Sequence, residues 1–160
     1  MRFPWKLRIL LASLSVLALT GVALAHEGAT GVVKERMDLM KGQGKNMKLI
    51  GDMAKGKKRF DAAKAAAAAR DLGSTTKKIP ELFPKGSSGH PSEALDAVWE
   101  DWDQFVEDAK KAEGAANDLA ATLEANPPQE WKAAFKTMID ACKSCHESFR
   151  AEEEDKHGGH

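Results

Sequence analysis

Apolar positions recur along this chain at three-, four- and seven-residue intervals, and no stretch shows the strict alternation of a convincing strand. From about Gly31 to Lys55, Val33, Met37, Met40, Met47 and Ile50 share one stripe. Lys34, Lys41, Lys45 and Lys48 fall between them, which predicts an amphipathic helix. A second helix is expected over roughly Arg59 to Leu72, where Ala65 to Ala69 run unbroken; alanine is the best helix former, and its small side chain lets neighbouring helices approach closely. A loop rich in turn residues, with Pro80, Pro84, Gly86, Gly89 and Pro91, ends it. Ser92 then reads as the N-cap of a third helix, with Leu95, Trp99, Trp102, Phe105 and Ala109 on one stripe. That helix is expected to reach Ala125, weakened in its middle by Gly114. Asn126-Pro127-Pro128 forces a break, and a fourth helix opens with Pro128 in its first turn, where a missing N–H costs nothing. Along it Trp131, Phe135, Met138, Cys142, Cys145 and Phe149 keep a three- to four-residue rhythm. Four amphipathic helices with mostly short connections imply an all-α antiparallel four-helix bundle.

The termini do not belong to this pattern. Arg2, Lys6 and Arg8 precede an apolar run from Ile9 to Leu24, and Ala23-Leu24-Ala25 closes it with a small-x-small pattern. This predicts a signal peptide over residues 1–25, cleaved after Ala25. The run is shorter than the roughly 20 residues a spanning helix needs. The mature protein, residues 26–160, is therefore expected to be a single domain that spans no membrane and is exported, to the periplasm in a Gram-negative cell. Residues 152–160, charged and ending in glycines and histidine, are expected to form a disordered tail.

Charge narrows the partners. Without its three signal-peptide bases the chain has 21 Lys and Arg against 24 Asp and Glu, which gives no reason to expect nucleic acid. The balance is uneven: 13 basic and 6 acidic residues from His26 to Pro80, 8 and 18 from Glu81 to His160. Mutual attraction of the two halves is the favoured account; a dipolar surface that orients a partner is the other.

The chain has only two cysteines, and both lie in CKSCHESFR, Cys142 and Cys145, with His146 directly behind. Three chemistries use such a constellation. A thiol-exchange pair normally follows a strand in a βαβ setting, which an all-helical pattern lacks. Zinc needs four ligands, and Cys142, Cys145 and His146 supply three, with no second cluster at ligand spacing. The third chemistry is covalent haem: in CxxCH each thiol adds to one haem vinyl group, and the adjacent imidazole binds the iron. One helical turn presents i, i+3 and i+4 on one face, so all three groups can address one porphyrin edge. Haem attachment of this kind occurs outside the cytoplasm, in agreement with the export signal. A haem would also fill volume that an alanine-rich bundle without tyrosine leaves empty. No general-base pair or nucleophile argues for an enzyme.

These residues resemble the class II c-type cytochromes, comprising cytochrome c′ and cytochrome c-556. The resemblance rests on CKSCHESFR near the C-terminus, on Arg36-x-x-x-Met40-Lys41 and GKNMKLIG in the first helix, on IPELFP at residues 79–84 and on VWEDWDQF around Trp99. It implies a four-helix bundle with one covalent haem c, held by Cys142 and Cys145 with His146 as proximal iron ligand. In this family the side of the iron opposite the histidine is either open, as in cytochrome c′ that binds nitric oxide or carbon monoxide, or filled by methionine, as in a His/Met electron carrier. Met40 occupies the position that faces the iron and is followed by Gly42 and Gly44, so it is the expected distal ligand; Met47, Met53 and Met138 are expected core filler. Arg36 resembles the arginine near the haem edge and Arg150 the one against the proximal imidazole, with Phe149 expected to pack on the ring. The resemblance further implies unidentified redox partner proteins, and a homodimer through the first two helices as one assembly. His26, His90, His157 and His160 show no fixed ligand geometry.

Overall fold

The computed structural model describes residues 29–89, 91–125 and 130–151. The expected signal peptide, His26, His90, the Asn126-Pro127-Pro128 break and the tail with His157 and His160 lie outside the described residues. Within them the chain forms α1 (Gly31–Ala54), α2 (Ala62–Thr76), a 3-10 turn (Ile79–Leu82), a short α3 (Ala97–Glu100), α4 (Trp102–Glu124) and α5 (Trp131–Phe149). Among the described residues there is no strand, only an isolated bridge between Ala94 and Arg150. No described helix is long and apolar enough to cross a membrane.

Local chemistry sets most boundaries. α1 ends where Gly56 turns left-handed, at φ +71°, and its N–H donates to the Met53 carbonyl at 3.1 Å; glycine takes this conformation without a Cβ penalty. α2 begins three residues later than its composition predicts, because the Asp61 carboxylate accepts the Lys64 N–H at 3.0 Å and so fixes the first turn. The third predicted helix is corrected more substantially. Ser92 is not its N-cap, and the helix breaks at Asp101 (φ −118°, ψ 56°) into α3 and α4. The stretch before α3 cannot join a helix because its backbone is paired with the end of α5. The Leu95 N–H donates to the Phe149 carbonyl at 3.0 Å, and the Ala151 N–H to the Glu93 carbonyl at 2.8 Å. Gly114 does not interrupt α4, which runs through it.

The four long helices make an antiparallel bundle in which α2 packs chiefly on α4, α4 on α5, and α1 on α2. The α2–α4 contact is close because it is built from small residues: Ala65, Ala66, Ala69, Ala116 and Ala120 are buried, and a Cβ at Gly73 would stand 2.4 Å from Asn117 Oδ1. Arg70 and Glu124 form the one described ion pair between the basic first half and the acidic second half. Most of the others are exposed pairs three or four residues apart on one helix, which contribute little.

Two apolar clusters divide the interior. The lower contains Ile50, Met53, Leu72, Leu119, Leu123, Phe135 and Met138 with the buried alanines of α2 and α4. The upper contains Ile79, Phe83, Val98, Phe105, Ala109 and Phe149. α1 and α5 are not principal packing partners. They meet near Gly51, where a Cβ would lie 3.6 Å from the Phe135 ring.

Candidate haem site

The two cysteines sit where the clusters meet. Cys142 packs against the lower cluster and Cys145 against the upper one. Both are free thiols, partly buried. Burial raises the Cys142 pKa. Cys145 is pushed up to about 11, by burial first and then by the negative charges of Asp108 and Cys142. His146 follows on the same face, with part of its surface exposed, and its pKa is lowered by desolvation and, next, by the charge of Arg150.

Met40 packs against the same upper cluster as Cys145, with Leu39 beside it. The other methionines divide as expected, with one addition. Met53 and Met138 are buried in the lower cluster and Met47 packs on it, whereas Met37 is 46% exposed. The Gly51–Phe135 contact fixes the level of α1 against α5. Antiparallel helices rise equally, about 1.5 Å per residue. Seven residues from that contact along each helix, Gly44 therefore comes level with Cys142, and after eleven residues Met40 comes level with His146. Gly42 and Gly44 have nothing within 4 Å of where a Cβ would stand. They leave open space beside the chain rather than bringing another backbone close.

Arg36 is 5% exposed. Its Nε–H and Nη2–H donate to the Leu82 carbonyl at 3.1 and 2.8 Å. Nη1 donates to Ser92 Oγ at 2.7 Å and Nη2 to Ser87 Oγ at 2.8 Å. The guanidinium lies 3.8 Å from the centroid of the Phe83 ring, a cation–π contact. No carboxylate forms an ion pair with it among the described residues, and burial lowers its pKa. Arg150 reaches the Glu93 carboxylate, with both Nε and Nη2 2.8 Å from Oε2. Phe149 is buried and meets Phe105 edge-on at 5.3 Å between centroids.

This set fits a covalently held haem. Two free thiols one helical turn apart with an imidazole directly behind them are the donor set that a covalently held haem needs, and Met40 is a soft sulfur packed on the same cluster as Cys145. The zinc alternative finds no support, since no described group of three or more His, Cys, Asp and Glu side chains is placed to hold a metal ion. Sequence reasoning missed Ser87, Glu93 and Asp108. Ser87 and Glu93 carry no pattern of their own and matter only through the arginines that reach them. Asp108, 6% exposed, accepts Gln104 Nε2 at 2.8 Å; it falls on the apolar stripe of α4, and a buried acid there was the available signal.

Comparison with known proteins agrees with this site. Residues 31–150 match the protein family described as Cytochrome C′. A cytochrome c′ of Rhodopseudomonas palustris is 35% identical over 148 residues, covering 91% of this chain and 97% of that protein. A cytochrome c-556 of Agrobacterium fabrum is 34% identical over 122 residues, covering 76% of this chain and 82% of that protein. The solved structure of a cytochrome c′ from Rhodopseudomonas palustris superposes with a TM-score of 0.71 at 32% identity, covering 79% of this chain and all of that one.

Proposed function

The chain belongs to the cytochrome c′ family and is a monohaem c-type cytochrome, and from that premise we propose that it is an exported carrier of single electrons with a His146/Met40-ligated, low-spin haem. The observation that carries this reading is that Met40 packs on the same apolar cluster as Cys145, at the level of His146 when equal helix rise is counted from the Gly51–Phe135 contact. When bound, the haem supplies the ferrous/ferric couple. Cys142 and Cys145, one turn apart on α5, would hold it by two thioether bonds, each formed by addition of a thiol to a vinyl group. His146, on the same face of α5 as the two thiols, would supply its imidazole to the iron. Met40 offers a thioether sulfur, a soft donor that suits haem iron and raises the potential relative to harder donors. Phe149, Phe105 and Phe83 exclude water from the upper side of the site. Arg36, whose N–H groups are taken by the loop, would contribute positive charge to the site rather than a hydrogen bond. Export to the periplasm and unidentified redox protein partners complete the reading.

An optical and EPR spectrum of the ferric protein, made in a host that attaches c-type haem, tests it. A low-spin spectrum with the far-red methionine-to-iron charge-transfer band is expected, and Met40→Ala should convert it to high-spin. A high-spin wild-type spectrum would overturn methionine ligation and support instead a five-coordinate protein that binds nitric oxide or carbon monoxide. A protein that takes up no haem under those conditions would overturn the cofactor itself.

A further inference from the structure

Two arginines bracket the site at matching distances. Arg36 lies four residues before Met40 on α1, and Arg150 four residues after His146, at the end of α5. Both turn to one segment. Arg36 takes the Leu82 carbonyl and the Ser87 and Ser92 hydroxyls, and Arg150 takes Glu93 through two nitrogens. Backbone bonds from Leu95 to Phe149 and from Ala151 to Glu93 sew the same segment to α5. The segment thus ties the ligand-bearing part of α1 to the ligand-bearing part of α5, two helices that have little packing of their own.

The chemistry of the α1 anchor is more demanding than closing a loop requires. A buried guanidinium without a carboxylate is costly to desolvate, and it is held here because its donors find acceptors in this segment. What the guanidinium adds is direction: a planar fork with fixed donor vectors holds three acceptors at set positions. A flexible or apolar contact would leave the segment free to slide against α1.

We propose that the stretch anchored at Leu82, Ser87, Ser92 and Glu93 is a brace that sets the separation of α1 and α5 at the haem, with Arg36, Ser92 and Glu93 as positioning residues that decide how closely Met40 approaches. This rests on the reading that haem is held on α5 opposite Met40. Tight bracing favours a methionine at the iron. A slack brace lets α1 move outward and leaves the distal side open to a diatomic ligand. In this account, the choice between electron carriage and gas binding is made partly by residues that touch neither ligand.

The test compares holoprotein carrying Ser92→Ala and Glu93→Gln together with holoprotein carrying Glu124→Gln. Glu124 pairs with Arg70 at the opposite end of the bundle, so its variant loses a charge pair without touching the brace. Spin state and the rate of carbon monoxide association with the ferrous form are read for each, together with the thermal midpoint. The brace variant should show a larger high-spin component and roughly tenfold faster association, the factor that corresponds to about 1.4 kcal/mol, with the control unchanged in both. Arg36→Lys, which keeps the charge but not the fork, should move both readouts in the same direction. Spectra and association rates equal to wild type, with only the thermal midpoint lowered, would reduce the segment to a structural tie and overturn the proposal. A wild-type protein that is already high-spin would sink methionine ligation alone; the association rates would then still decide the brace.

Discussion

Phe135 lies against Gly51, with its Cζ 3.6 Å from where a glycine Cβ would be, and this contact sets the register of α1 against α5. The distance is an ordinary van der Waals contact, so a methyl group fits. Gly51→Ala should be tolerated and should stabilise by about 0.5–1 kcal/mol through helix propensity. Gly51→Leu should push Phe135 aside and cost about 1–3 kcal/mol. Urea unfolding of the two variants checks both, and the leucine variant should also perturb the haem spectrum, because the level of Met40 against His146 depends on this contact.

α2 and α4 approach more closely. A Cβ at Gly73 would meet Asn117 Oδ1 at 2.4 Å, but Asn117 is exposed and its amide can swing away. Gly73→Ala alone should therefore change stability little. In an Asn117→Ala background the obstruction is gone, and Gly73→Ala should then stabilise by up to about 1 kcal/mol. A double-mutant cycle by denaturant titration reads the coupling; additive single effects would contradict it.

Arg36 should be the least replaceable charged residue in the described chain. Arg36→Met removes a set of charge-assisted bonds and leaves the Leu82 carbonyl and two serine hydroxyls with a missing partner, at a cost of about 2–4 kcal/mol. Arg36→Lys should recover part of that, since it restores charge but not the fork. The loss should appear as a lower denaturation midpoint and as changed Trp99 fluorescence, because Trp99 Nε1 donates to Phe83 and Pro84 carbonyls in the same segment at 3.0 and 3.1 Å.

Before haem is attached, the thiols make stability depend on pH. Cys145 has its pKa raised from an ordinary 9.0 to about 11 in the fold, and Cys142 is raised as well. Below pH 9 folded and unfolded chains both hold these protons, and the burial of neutral thiols contributes in full. Between pH 9 and 11 the unfolded chain releases its protons first, so stability should fall as pH rises and level off beyond 11. Urea unfolding of haem-free protein across this range should show the decline. A variant with both cysteines replaced by serine should lose that part of the slope.

Much of this architecture was legible as periodicity. α1 was placed to within one residue, and Trp131, Phe135, Met138 and Phe149 marked α5, because a helix that must bury one face repeats apolar residues every three or four positions. The third helix was misjudged for the same reason. Leu95 and Trp99 fit the stripe of α4, but a stripe carries no information about a backbone bond from Leu95 to Phe149, a residue more than fifty positions away. α2 was misplaced at its start because its alanines have no strong face, and only the Asp61 cap fixes where the turn begins.

The sequence by itself determined a helical bundle with one CxxCH stretch on its last helix, since that spacing is a local fact and needs nothing beyond one turn of backbone. It also singled out Met40 and Arg36, through their family positions. Only the tertiary structure decided how those residues relate. It set Met40 level with His146 through a contact between Gly51 and Phe135, and gave Arg36 and Arg150 a common loop to hold. Such relations come from packing between segments far apart in the chain, where geometry depends on every intervening contact and no local pattern records it.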